Sequence, residues 1–303
     1  MKWDSDWPLP QPTTSFKTAR EKVLSPPSKT NSIPATFSLL VTPVMTEAVH
    51  RAHELRVSND AEVFHQLRVA FRRLRALYWA YAPLLDDQLT AHATAEFRRL
   101  AAVAGATRDW DIAGDLLQRA QVSGGSNEIL FAAVQEKRAE AVLLSQSMIE
   151  SAGIEAFLND VLHHSETTLQ SRYGEIPVRE FAEERVRLAA RTLRKRSRQA
   201  ARQKTADEED LHDVRKAGKK LRYLLEFFQP VIRGAHDRAI KKLSSAQNTL
   251  GEFNDLAASE TLIRSASFSG VPPDVVVGAL QWIEMQKNRR RRAASRRVRA
   301  IVA

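Results

Sequence analysis

Apolar residues recur at intervals of three and four along almost the whole chain from about residue 36 onward. This spacing places them on one face of an α-helix, and no stretch alternates polar and apolar residues over the length of a strand. The pattern is interrupted where Gly, Pro, Ser, Asn and Asp cluster, which marks turns. These predicted breaks lie at 57–60, 123–127, 173–174 and 207–210, near Gly234, and at 270–273. The pattern therefore predicts an all-α protein with short connections between its helices.

The first 35 residues differ in composition from the rest of the chain. Six of the 12 prolines fall in this segment, interleaved with Ser, Thr and Lys. Such a composition offers little apolar surface to bury and is typical of a disordered tail. We therefore expect residues 1–35 to form a tail and residues 36–303 to form the folded part.

An internal repeat divides the folded part. Residues 65–85 align without a gap on residues 212–232, which lie 147 positions later, and seven of the 21 aligned residues are identical. A Gly-x-x-(Arg/Asn)-Asp sequence, interpreted as a turn, follows in each copy at 105–109 and 251–255. Two matches in the same order indicate a duplication. We expect two pseudo-symmetric bundles of antiparallel helices, 36–172 and 174–303.

The repeated helix carries a cationic stripe opposite its apolar face. In each copy a His and three basic residues follow one another at intervals of three and four, so they share one helical face. No acid lies on either stripe to relieve the repulsion between the cations, which favours an anion-binding site over an ordinary solvated face. The candidate residues are the stripes and their basic neighbours: His65, Arg68, Arg72, Arg73 and Arg75 in the first copy, and His212, Arg215, Lys216, Lys219, Lys220 and Arg222 in the second.

The overall charge extends this surface beyond the two stripes. The 303 residues contain 46 Lys and Arg against 36 Asp and Glu, a net charge of +10. Residues 191–204 and 287–299 are rich in Arg and Lys and contain no acid. A field of this kind favours a long polyanion over a single phosphate group.

The chain lacks features of several other protein classes. It contains no Cys, which excludes disulfides, thiol nucleophiles and Cys-type zinc sites. No apolar run reaches the roughly 18 residues of a membrane span, and the N-terminus has no signal-peptide core. We therefore expect a soluble, cytoplasmic protein without a membrane partner.

The two ordered motifs make the chain resemble the CHAD family, the conserved histidine α-helical domain, over about residues 36–303. The resemblance implies two helical bundles around a basic central channel that binds inorganic polyphosphate. It also implies association with bacterial polyphosphate granules and their other proteins, with all the candidate residues except Lys216 at the binding surface. Many members carry an upstream CYTH triphosphate-processing domain, for which residues 1–35 are too short. We therefore expect a non-catalytic binding or targeting module that needs no cofactor.

The roles of individual motif residues stay open. His65 and His212 either contact the ligand, in which case binding strengthens at lower pH, or serve as structural hydrogen-bonding groups. Asp109 and Asp255 are expected to act as N-caps or as partners that orient an Arg.

Three other functions are considered. A metal-dependent phosphohydrolase of the HD type would use His212 and Asp213, but Asp213 corresponds to Gln66 in the other copy, and no further ligands complete the site. Nucleic-acid binding is the main alternative, because Trp79 and Tyr223 fall on the cationic faces, where an aromatic ring can stack on a base. The basic C-terminal helix also has the character of a membrane-surface helix, although packing against the second bundle is the expected use.

Overall fold

The computed structural model describes residues 32–120 and 126–302. Residues 1–31 of the predicted tail and residues 123–125 of one predicted break lie outside the described residues. Within the described ranges the chain forms nine α-helices, a 3₁₀ turn at Ala82–Leu84 and no β-strand, so the prediction of an all-α protein is confirmed. The helices are α1 (Ile33–Glu54), α2 (Ala61–Tyr81), α3 (Asp87–Arg119), α4 (Ser126–Ser151), α5 (Ile154–Tyr173), α6 (Val178–Ala200), α7 (Glu208–Phe228), α8 (Asp237–Ser265) and α9 (Pro273–Val302).

Helix α1 begins at Ile33, three residues before the expected boundary at residue 36, because its start is anchored locally. The Ser32 hydroxyl accepts a hydrogen bond from the Ala35 amide at 3.5 Å. Pro34 lies in the first turn, where its missing amide hydrogen has no intrahelical partner to lose. The Ile33 amide donates to the Ile176 carbonyl at 3.0 Å, which ties this end of α1 to the loop before α6.

Several helix boundaries lie at the turn residues that the sequence indicates. Asp60 caps α2 by accepting from the Glu62 amide at 2.8 Å, and Asp207 caps α7 by accepting from the Asp210 amide at 2.7 Å. Gly270 adopts a φ of 74° shortly before α9 begins, a conformation that glycine tolerates best.

The turns predicted at 105–109 and 251–255 are wrong, because both segments lie inside the long helices α3 and α8. A single glycine costs a helix only about 1 kcal/mol relative to alanine. The surrounding Ala and Leu residues favour helix, and the buried packing of α3 and α8 stabilises it, so both helices continue past the glycine.

Two apolar cores hold the helices together. In the larger core, the fully buried Tyr81 of α2 lies with its ring centroid 5.0 Å from Phe181 of α6 and 6.2 Å from Phe228 of α7. The smaller core joins α3, α4, α8 and α9 through residues such as Trp110 and Ile283. Both cores therefore contain residues from before and after the predicted boundary between bundles.

Two pairs of helices correspond in position between the two halves of the chain. Helices α2 and α7 each have 21 residues and begin 147 positions apart, and α4 and α9 also begin 147 positions apart. Helix α5 has no such counterpart and packs on α1. The common origin of the two halves and their boundary stay predictions.

The C-terminal helix packs within the protein. Ala294 and Val298 of α9 are fully buried in the larger core, which favours the packing role over contact with a membrane surface. No helix in the described part of the chain is long and apolar enough to cross a bilayer.

The two buried tyrosines of α2 give a matched test of the core. The Tyr78 hydroxyl and Ser165 Oγ are joined by a hydrogen bond of 3.1 Å, whereas the Tyr81 hydroxyl is buried without a hydrogen-bond partner among the described residues. We expect Tyr78→Phe to lower the free energy of unfolding by about 1 kcal/mol and Tyr81→Phe to leave it unchanged or raise it. Chemical denaturation of both variants measures the difference, and an equal loss in both would contradict this description of the core.

Candidate anion-binding site

A cavity of about 140 Å³ lies where α2, α3, α7 and α8 meet. Helices α3 and α8 each run from the larger core to the smaller one, and the cavity occupies the stretch between the two. Packing at both ends therefore fixes the side chains that face it. Its lining consists of His65, Arg68, Arg72, Arg108, Asp109, Ile112, Arg215, Lys219, Asn254, Asp255, Ala258 and Ser259.

Five cations converge on this cavity. Arg68 and Arg72 come from α2, Arg108 from α3, and Arg215 and Lys219 from α7. Arg68 donates from Nη1 to Asp109 Oδ1 at 3.1 Å. The other four cations form no ion pair within the described ranges, so the cavity holds more positive charge than its two carboxylates balance.

Burial and crowding change the protonation of these groups. Burial, with a further contribution from Arg72, Arg215 and Arg68, lowers the pKa of Lys219 from 10.5 to about 6. Burial and the neighbouring arginines lower the pKa of Arg215 to about 10. An anion in the cavity would stabilise the charged forms of both groups, because it would add opposite charge beside them.

The two carboxylates are partly buried. Burial raises the pKa of Asp109 and of Asp255, against the opposing effect of Arg68 on Asp109 and of Arg215 on Asp255. Neither residue is an N-cap, because both lie in the interior of long helices. Asp109 orients Arg68, which is one of the two roles that the sequence suggested for it.

Gly105 explains how Arg68 reaches this position. A Cβ atom at residue 105 would overlap Arg68 Nη1 and would lie 2.9 Å from Arg68 Cζ, closer than real Cβ contacts. The corresponding Gly251 has open space within 4 Å, so the same substitution there meets nothing. The glycine of the first motif thus makes room for a guanidinium group, whereas the glycine of the second does not.

The two histidines occupy different places. His65 lines the cavity, where burial and then the nearby Arg108, Arg68 and Arg72 lower its pKa against an opposing effect of Glu62. His212 is exposed and lies in the neighbouring pocket, with its Nδ1 2.9 Å from Asn254 Oδ1. The repeated histidines therefore differ in burial and surroundings.

Two of the other candidate cations lie over aromatic rings outside the cavity. Arg73 Cζ lies 5.1 Å from the centroid of the Phe227 ring, and Lys220 Nζ lies 4.1 Å from that of Trp79. Arg185 also lies over Trp79, at 4.3 Å. With two cations over Trp79 and with Tyr223 buried, neither aromatic residue is free to stack on a base.

The remaining candidates are engaged by their own helix or a neighbour. Arg222 donates to Gln247 Oε1 at 3.0 Å and to Glu226 Oε1 at 2.7 Å. Lys216 pairs with Asp213 at 2.7 Å. Arg75 is half-buried outside the cavity, and burial and then the proximity of Arg98 and Arg72 lower its pKa. Of the eleven candidates, five line the cavity: His65, Arg68, Arg72, Arg215 and Lys219.

Arg108 and Asp255 are cavity residues that the sequence did not assign to binding. Their signal was the Gly-x-x-(Arg/Asn)-Asp match, which was interpreted as a turn. Because the segment is helical, its fourth and fifth residues project from α3 and α8 toward α2 and α7.

The metal-site alternative gains no support from the described residues. Asp213 pairs with Lys216 and lies 3.3 Å from Arg196 Nη1, so cations already occupy this carboxylate. No group of three or more His, Asp or Glu residues in the described ranges is placed to hold a metal ion.

Comparison with known proteins identifies relatives of the fold. A family model described as the CHAD domain matches residues 47–264. The CHAD domain from the plant Ricinus communis is 22% identical, with a TM-score of 0.76, and the match covers 89% of this chain and 92% of that chain. PptA from Streptomyces chartreusis is 15% identical, with a TM-score of 0.63, and the match covers 89% of this chain and 99% of that chain. No curated protein matches the sequence.

The cost of burying Lys219 generates a prediction about stability. The unfolded chain holds the Lys219 proton up to a pH of about 10.5, whereas the folded chain releases it above about 6, so this residue makes stability rise with pH between those values. Replacement by Lys219→Met removes this effect. We expect the variant to be more stable than the wild type by about 1 to 3 kcal/mol near pH 6, with a difference that shrinks toward pH 10.

The control for this prediction is Lys195→Met, which removes an exposed lysine of α6. It is expected to change the free energy of unfolding by less than about 0.5 kcal/mol at any pH. Denaturant unfolding of both variants across the pH range provides the measurement. A destabilised Lys219→Met protein near pH 6 would contradict the electrostatic description of the cavity.

The two motif glycines provide a second prediction. Gly105→Ala displaces the flexible end of Arg68, so we expect affinity for tripolyphosphate to fall about three- to tenfold while stability changes by less than about 1 kcal/mol. Gly251→Ala is the control and should keep the wild-type affinity. Isothermal titration calorimetry and thermal unfolding of both variants decide the matter, and equal affinities would show that the position of Arg68 is unimportant.

Proposed function

The chain belongs to the CHAD domain family, and we propose from this premise and from its central cavity that it binds inorganic polyphosphate. In this proposal the cavity holds a stretch of the polyanion between α2 and α7, and the protein acts as a binding or targeting module. Association with polyphosphate granules in the cytoplasm follows as the cellular role.

The surplus of partly buried cations is the observation that carries the proposal. Arg72, Arg108, Arg215 and Lys219 have no carboxylate partner within the described ranges, although burial makes an unpaired charge costly. A chain of phosphates supplies negative charge and hydrogen-bond acceptors to all of them at once. The guanidinium groups suit this role, because they stay charged and present several donors to phosphate oxygens.

The basic residues outside the cavity add a long-range electrostatic attraction for a polyanion. Several of them are exposed on α6 and the loop that follows it, among them Arg191, Lys195, Arg198 and Arg202. Exposed charges of one sign steer a polyanion toward the surface and are screened by salt. Cations of the C-terminal run are more often engaged internally: Arg297 donates to Ser245 Oγ at 2.7 Å and Arg291 to the Ala206 carbonyl at 2.6 Å.

The proposal treats the site as non-catalytic. Four of its five cations are arginines, which hold phosphate well but keep their proton at physiological pH. In this proposal Lys219 and His65 take up protons when the anion binds, which increases the positive charge of the cavity.

A titration with long-chain polyphosphate at two salt concentrations tests this function, with single-stranded RNA as competitor. The cavity variant carries Arg68→Ala, Arg72→Ala, Arg215→Ala and Lys219→Ala. A matched surface variant with the same number of basic residues removed carries Arg191→Ala, Lys195→Ala, Arg198→Ala and Arg202→Ala.

We expect the cavity variant to lose affinity at least a hundredfold, because it removes the buried contacts. The surface variant should lose only a few-fold and should show a weaker dependence on salt. RNA should displace polyphosphate poorly. Equal losses in the two variants, or RNA that competes on equal terms, would replace the proposal with general polyanion binding by the outer surface.

Proton uptake gives an independent prediction. Polyphosphate raises the pKa of Lys219 and of His65 from their lowered values, so the complex binds more protons near pH 7 than the free protein does. Affinity is therefore expected to rise as the pH falls from 8 to 6. Calorimetry at pH 7 in two non-phosphate buffers of different ionisation enthalpy measures the uptake, which Lys219→Met should reduce. Proton release on binding would contradict the assignment.

A further inference from the structure

A second, larger pocket adjoins the cationic cavity. Its volume is about 550 Å³, which is within the range of roughly 300 to 1,000 Å³ that is common for small-molecule sites. Asp109, Asn254 and Ala258 line both spaces, so the two lie side by side. The hydrogen bond between His212 and Asn254 lies at this border.

The chemistry of the adjoining pocket is unlike that of the cationic cavity. Most of its wall is apolar and comes from α7 and α8, with Leu250, Phe253, Ala257 and Leu262 among the lining residues. The polar groups at its edge include Glu208 and Glu209, which are exposed at the start of α7. Asp109 is a further acid at the border.

An inorganic phosphate chain does not suit this pocket. Glu208 pairs with Lys287 at 2.9 Å and Asp109 pairs with Arg68, so Glu209 is the acid of this lining that has no ion pair within the described ranges. Its charge disfavours a polyanion, and the apolar part of the wall offers no donors to replace the water that a phosphate group loses. The occupant must therefore carry phosphates at one end and an uncharged, partly apolar body with hydrogen-bond donors at the other. A nucleoside joined to a short polyphosphate chain has this composition: the base is flat and largely apolar, and the ribose hydroxyls donate hydrogen bonds to carboxylates.

We propose that the two adjacent spaces form a binding site for nucleoside polyphosphates, in which the phosphates enter the cationic cavity and the nucleoside occupies the adjoining pocket. The inference rests on the proposed function, because it uses the same cations to hold the phosphates. Glu209 lines this pocket and supplies a carboxylate that can accept from ribose hydroxyls. The hydroxyls of Thr261 and Ser265 donate to the carbonyls of Ala257 and Leu262, so toward the base they can act only as acceptors.

Adenosine 5′-tetraphosphate and inorganic tripolyphosphate provide the test, because they carry a similar charge and differ in the nucleoside. Both are titrated into the full chain without magnesium. The pocket is filled by Ala257→Trp, which changes a partly exposed residue that lines the adjoining pocket but not the cationic cavity. The control is Ala139→Trp on the exposed face of α4, and the thermal unfolding midpoint checks that both variants are folded.

We expect the nucleotide to bind about tenfold more tightly than tripolyphosphate to the wild type and to Ala139→Trp. Ala257→Trp should remove this advantage and keep the affinity for tripolyphosphate. If the two ligands bind the wild type equally, or if Ala257→Trp keeps the advantage, the nucleoside pocket is refuted while the phosphate site stands. If neither tripolyphosphate nor long-chain polyphosphate binds, the proposed function itself fails and the inference falls with it.

Discussion

The mutual repulsion of cations held in a confined space is the interaction on which the central part of this structure depends. Five basic side chains from three helices face a cavity of about 140 Å³ that contains two carboxylates. Side chains in this position would ordinarily turn toward solvent, where water screens their charges. Here they come from helices whose opposite faces are buried in apolar cores, so packing on one side holds the charges together on the other. Burial, with a further contribution from this repulsion, lowers the pKa of Lys219 to about 6.

The packing of the helices holds the cations close together in spite of their repulsion. Tyr81, Phe181 and Phe228 pack α2 against α6 and α7, and the second core closes α3 and α8 beyond the cavity. Binding sites commonly lower the stability of the folded protein, because their function requires an arrangement of groups that is unfavourable without ligand. The same arrangement makes the charge of the site depend on pH, because two of its groups, His65 and Lys219, have lowered pKa values that a bound anion would raise.

The sequence predicts the helical fold and five of the twelve residues that line the cavity. The other lining residues depend on contacts between helices, which no local pattern specifies. Helical periodicity alone brings Arg68, Arg72, Arg215 and Lys219 to one face of each repeated helix, and all four line the cavity. The same periodicity also places Arg222 on the stripe, but Arg222 donates hydrogen bonds to Glu226 and Gln247 and does not line the cavity. Periodicity specifies a helical face but not how far along that face the cavity extends. Gly105 was interpreted as a turn since glycine most often breaks a helix. Its actual partner, Arg68, lies on another helix, and no local pattern reveals that contact.

The ionisation of Lys219 in the free protein and in its complex with polyphosphate tests the central claim most directly. Nuclear magnetic resonance of the lysine Cε and Nζ atoms across a pH series, with Lys219→Met to assign the signal, gives the pKa in each state. The account predicts a pKa near 6 in the free protein and a clear rise on addition of polyphosphate. A pKa near the ordinary value of 10.5 that does not change with polyphosphate would contradict it, because the cations would then be neither crowded in the free cavity nor relieved by the ligand.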